Sequence, residues 1–160
     1  MSSPPRLIVS REMQRQTEEV LLHSMENEVE VVMAWLSPPP GPDFNVARVV
    51  VPEQTCGRLF FHVGAEPLLE LSRLLYRSRM IIAAQVHTHP SLAFHSEADD
   101  EFTLSHAEGT YSIVLPDFGR SGLDPLDGEL AYYQRRSGKW KRLPLASVAS
   151  SVLFEGRDGE

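Results

Sequence analysis

Met80 to Val86 is an apolar run, Met-Ile-Ile-Ala-Ala-Gln-Val, and His87-Thr88-His89-Pro90 comes directly after it. A run this short, without a breaker, reads as a buried strand. A strand delivers the residues at its end to a fixed place. His87 and His89 then project to one side as the chain leaves the sheet, and Thr88 to the other. Pro90 stiffens the exit. The next stretch, Ser91 to Asp100, holds His95, Ser96, Glu97, Asp99 and Asp100. Ser96 caps an expected short helix from Glu97 to Leu104, and Asp99 lies one helical turn from it, so serine and carboxylate share a face.

Two imidazoles on one side and a carboxylate ten residues on are the donor set of a catalytic zinc site with an open fourth position. Such a metal makes water a nucleophile near neutral pH and polarises a carbonyl. The commonest His-x-His is only a pair of surface histidines. The preceding strand, the proline and the Ser-x-x-Asp turn raise this one above that reading. His87, His89 and Asp99 are the candidate ligands, with Asp100 as a substitute for Asp99. Ser96 is placed to donate to an oxyanion. His95, one residue from Ser96, is a spare candidate for orienting substrate but reads better as a loop histidine, and it has no assigned role.

A hydrolase of this kind also needs a carboxylate base that does not ligate the metal. Glu28 to Leu36 alternates Glu28 and Glu30 with Val29 and Val31, then becomes continuously apolar, and reads as a strand buried at its far end. Glu28 suits a solvated strand start. Glu30 abuts the apolar run, where an ionised carboxylate costs free energy unless it has a partner. Glu30 is the candidate base.

The remaining pattern is mixed. Arg6 to Ser10 reads as an edge strand and Arg11 to about Met25 as a helix capped by Ser10. Ser37 to Asp43, with its prolines, is a stiff loop. Phe44–Val51 and Arg58–Val63 read as strands, and Glu66 to Arg77 as a helix with Pro67 in its first turn. Thr110–Leu115 is a strand, Phe118 to Asp127 a loop, and Glu129–Arg135 with Lys139–Leu143 a hairpin. Leu145 to Phe154 is an amphipathic piece, and Gly156 to Glu160 is expected to fray. The order is that of an α/β fold with a mixed sheet, not a regular doubly wound one. The 160 residues are expected to form a single domain with a core from about residue 6 to 143.

Net charge is −7, which argues against a phosphate-binding surface and so against nucleic acid as a partner. Cys56 is the one cysteine, so neither a disulfide nor a multi-thiolate zinc site is available; it reads as a small loop residue. No apolar stretch approaches the roughly 20 residues of a membrane span, and no secretory leader is evident, so a cytoplasmic location is the expectation.

His87-Thr88-His89-Pro90 and then Ser96-Glu97-Ala98-Asp99, with Glu30 upstream, resemble the JAMM signature of the MPN/Jab metalloproteases. In that family the distant Glu commonly lies seven residues before a small residue ending its strand. Glu30 and Ser37 match that interval, with Ser where Gly is usual; Glu28 does not. Six residues separate His89 from Ser96, where eukaryotic members usually have seven. The shorter loop with Phe94-His95-Ser96, Val31 to Leu36, and Ser112 to Phe118 resemble the prokaryotic Jab branch. The resemblance spans roughly Arg11 to Trp140. It implies a curved mixed sheet flanked by helices, similar to cytidine deaminases. It implies Zn²⁺ held by His87, His89 and Asp99, water activated by Glu30, and a transition state steadied by Ser96. It further implies hydrolysis of the bond after the C-terminus of a ubiquitin-like protein. Expected partners are that protein or its conjugates, and conjugation-type enzymes from neighbouring genes, including those of antiphage systems. The alternatives are a non-catalytic MPN scaffold, or a metallopeptidase acting on another amide.

Overall fold

Ser10 leaves β1 (Arg6–Val9) in extended geometry, and its hydroxyl accepts the Met13 N–H at 3.3 Å. That cap, with Glu12 in the first turn, starts α1 (Arg11–Asn27), as the sequence predicts. The structure is a computed structural model that describes residues 3–39, 41–95, 103–123 and 130–157. The expected helix at Glu97 lies almost wholly outside the described residues, as do Ser96, Asp99 and Asp100.

The next elements in chain order are β2 (Val32–Ser37), β3 (Asp43–Asn45), β4 (Arg48–Val50), β5 (Thr55–Gly57), β6 (Phe60–His62), α2 (Ala65–Ser78) and β7 (Ile81–Thr88). Then come β8 (Tyr111–Leu115), a 3₁₀ turn at Asp117–Gly119, β9 (Ala131–Arg136), β10 (Lys139–Arg142), α3 (Leu145–Ser151) and β11 (Val152–Phe154). The main sheet has the order β10-β9-β8-β7-β2-β4. Only β7 and β8 are parallel in it; the other neighbours are antiparallel.

Two layers cover this sheet. Met33 and Trp35 of β2, Val86 of β7 and Ile113 and Leu115 of β8 pack with Met13 and Leu21 of α1 and with Leu7 and Val9 of β1. On the other face, Ala34, Leu36 and Ile82 pack with Leu71, Leu74 and Leu75 of α2. A buried hydrogen bond fixes the first layer, as the Trp35 indole N–H donates to Thr17 Oγ1 at 3.0 Å.

Several expectations need correction. The strand predicted from Glu28 begins only at Val32, because Glu28 takes a left-handed conformation (φ 49°) and closes α1. Its carboxylate is paired with Arg58 and Arg120. The strand predicted over Phe44–Val51 is split, β3 pairing with β1 and β4 with β2. The strand expected over Arg58–Val63 is present as β6, but its hairpin partner β5, which holds Cys56, was not expected. Finally, β1 is no edge: it runs parallel to both β3 and β11, at the centre of a three-stranded sheet. The core therefore extends past residue 143 to Val152 and Phe154. The tail to Arg157 is held as well, its guanidinium donating to Gln14 at 2.6 Å and Glu18 at 2.9 Å.

Candidate active site

The β2–β7 register opposes Val32 to His87. Opposed residues of an antiparallel pair share a face, and so do residues two apart on one strand. Val31 is tied to Thr88, since Thr88 N–H donates to Val31 O at 3.1 Å. Glu30 lies two residues before Val32, just ahead of β2, and His89 two residues after His87, just past β7. The face that His87 and Val32 share is the one α2 covers further along. All three are buried: His87 is 1% exposed, His89 6% and Glu30 7%. The two imidazole centroids are 5.3 Å apart.

Thr88 faces the other layer, as predicted, and its hydroxyl explains why the strand ends so firmly. It accepts the Val31 N–H at 3.0 Å and lies 2.9 Å from Ser24 Oγ, whose own hydroxyl donates to Val29 O at 2.6 Å. With Ser24 donating to Val29, the Thr88 hydroxyl donates to Ser24. The end of α1 is thereby locked to both strands that carry the site.

His89 is held through its backbone. Its N–H donates to Leu115 O at 2.9 Å, and its carbonyl accepts the Phe118 N–H at 2.7 Å. Asp117 N–H donates to Ser91 O at 2.9 Å. Asp117 and Phe118 both have positive φ, 50° and 55°, a conformation costing roughly 1–3 kcal/mol per residue unless its surroundings impose it. Here the guanidinium groups of Arg58 and Arg120 lie over the buried Phe118 ring, 5.6 and 5.7 Å from its centroid.

Two further segments flank the histidines. The β5–β6 hairpin is joined to the base candidate, with Glu30 N–H donating to Gly57 O at 2.8 Å, and it sets Phe61 5.7 Å from the His87 ring. Cys56, opposite Phe61 in that hairpin, has its thiol pKa pushed up, first by burial and second by the Glu30 charge. On the other side Phe94 meets His89 edge-on at 5.0 Å. A cavity of about 620 Å³ opens beside Pro90, lined also by Leu92, Pro116, Asp117 and Arg142.

Of the predicted residues the structure describes three, His87, His89 and Glu30; all are buried, and the two histidines lie side by side. Asp99 and Ser96 fall outside the described residues. Among the described residues, no group of three His, Cys, Asp or Glu is close enough to hold a metal ion. Imidazole nitrogens such as these two are a donor type that suits a divalent metal.

Sequence reasoning missed His95. Its ring stacks on Tyr133 at 4.1 Å, meets Trp140 at 5.4 Å, and lies 5.8 Å from His87. Its Nε2 is 2.7 Å from Ser112 Oγ. One signal was visible: Gln85 interrupts an otherwise apolar strand, and a polar residue at such a position needs a partner.

No helix among the described residues is long and apolar enough to cross a membrane. No family model matches the chain. The chain is similar in fold to protein DSY2949 from Desulfitobacterium hafniense, with a TM-score of 0.63 over 93% of this chain and 92% of that one at 12% identity. It is 31% identical over 124 residues to the probable metalloprotease y4jG of Sinorhizobium fredii, covering 75% of this chain and 76% of the relative. A likeness of that extent, with two buried imidazoles at the end of a central strand, makes this chain a member of the metalloprotease family to which y4jG belongs.

Proposed function

We propose that the protein is a zinc-dependent peptidase of the MPN/Jab type that cleaves the bond after the C-terminus of a ubiquitin-like protein. The observation that supports the chemistry is the pair of buried imidazoles, His87 and His89, at the end of β7, with the buried Glu30 two residues before Val32, the register partner of His87. The substrate class rests on the resemblance of Glu30, His87-Thr88-His89-Pro90 and Ser96-x-x-Asp99 to the JAMM signature. The mixed sheet covered by helices on both faces agrees with the MPN fold that this resemblance implies.

In this reading His87 and His89 offer ring nitrogens to zinc, and Asp99 supplies the carboxylate. When bound, zinc supplies Lewis acidity that polarises the scissile carbonyl and makes water nucleophilic near neutral pH. Glu30 accepts the proton of the attacking water and hands it to the departing nitrogen, so the amine leaves neutral. Ser96 donates to the oxyanion of the tetrahedral intermediate. The buried setting of Glu30 and both histidines keeps bulk water from screening these interactions. The exposed Leu92 and Phe94 on one side, and Leu59 and Phe60 on the other, offer apolar contacts to an extended tail entering the site.

The test is a panel of ubiquitin-like proteins, each extended at its C-terminus by a short peptide, with unrelated peptides as controls. Cleavage after the ubiquitin-like C-terminus, abolished by a chelator and restored by zinc, is expected. Hydrolysis of the control peptides alone would move the substrate to another amide.

A further inference from the structure

Gln85 and Ser112 are register partners on the parallel strands β7 and β8, and they are 2% and 0% exposed. Neither has a packing reason to be polar, and polar side chains so placed cost free energy unless their bonds are made. Their bonds run outwards from the sheet. The Leu104 N–H donates to Gln85 Oε1 at 2.8 Å, which fixes the orientation of the amide. Gln85 Nε2 then donates to Ser112 Oγ at 3.2 Å. The Ser112 hydroxyl also hydrogen-bonds His95 Nε2, at 2.7 Å, the donor being set by the imidazole tautomer. The next residue in the same row, Tyr133, opposes Ser112; its ring stacks on His95 and its hydroxyl accepts the His95 N–H at 3.1 Å.

One row across β7, β8 and β9, buried at Gln85 and Ser112 and half-buried at Tyr133, therefore holds the chain both where it enters the stretch after His95 and where it returns at Leu104. Gln85 is two residues before His87 on the same strand face, so the row lies directly next to the histidine pair. We infer that Gln85, Ser112 and His95 form a positioning relay that fastens both ends of the stretch carrying Asp99 to the strand that presents His87. Both anchors of the stretch that carries the proposed third donor are thereby tied to the strand of the first two. In its metal role this inference rests on the zinc reading above; its clamp role does not.

The experiment pairs amide hydrogen exchange with zinc affinity, measured by competition with a chromophoric chelator on the full chain. Gln85→Met removes both bonds to the amide at similar volume, and Ser112→Ala removes one oxygen. Ser112→Thr keeps the hydroxyl. Exchange at Leu104 is expected to quicken about tenfold in Gln85→Met. Zinc affinity is expected to fall about 10–100-fold in Gln85→Met and Ser112→Ala, and to recover in Ser112→Thr. Wild-type exchange at His95 and Leu104 in both loss variants would overturn the relay. Wild-type zinc affinity with quickened exchange would overturn its metal role. A wild-type chain that takes up no zinc would defeat the zinc reading, while the exchange data still decide whether the clamp exists.

Discussion

The side-chain amide of Gln54 pairs with both backbone groups of Val32: Val32 N–H donates to Gln54 Oε1 and Gln54 Nε2 donates to Val32 O, each at 2.9 Å. β4 ends at Val50, so this amide takes the place of the next strand residues along β2, two positions from Glu30. Replacing Gln54 by Leu leaves a buried N–H and C=O without partners, at about 1–3 kcal/mol each. Chemical denaturation should show a loss of that size, with kcat reduced more than the stability alone explains, because the strand edge beside Glu30 opens to water.

Thr88 offers a test of the same strand from the opposite face. Val matches Thr in shape but lacks the hydroxyl that accepts the Val31 N–H and donates to Ser24. Thr88→Val should cost about 1–3 kcal/mol, read as a lower denaturation midpoint at unchanged slope. A neutral substitution would mean that the lock between α1 and the site strands contributes nothing.

Cys56 reports on the charge of Glu30. Its thiol pKa is raised first by burial and second by the carboxylate, so the thiolate forms only at a higher pH than for an ordinary cysteine. Removing the negative charge favours the thiolate and lowers that pKa. Alkylation of Cys56 tracked against pH should therefore shift to lower pH in Glu30→Gln. An unchanged profile would mean that Glu30 is not ionised beside the thiol.

The placement of His87 and His89 was legible because its signals are local. The apolar run gives a strand, and the strand fixes where His87 and His89 point. The burial of Glu30 was legible for a partly mistaken reason. The Glu28–Val31 alternation mimics a strand, but Glu28 closes a helix in the left-handed region, where Gly or Asn is the usual signal. What could not be read is what depends on distant pairing. Leu7 meets Val152 across nearly the whole chain, so nothing in Arg6–Val9 marks it as a central strand. Likewise, His95 looks like any loop histidine until Ser112 and Tyr133 are brought to it by the β7–β8–β9 register. Gln85 was the one visible trace of that arrangement.

The zinc content and turnover of Glu30→Gln, measured on the same preparation as wild type, test the central claim most directly. The variant is expected to hold about one zinc per chain like wild type, with kcat lowered about 10²–10⁴-fold, whereas His87→Ala loses both metal and activity. A Glu30→Gln protein that cleaves at the wild-type rate, or a His87→Ala protein that keeps its zinc, would contradict the account.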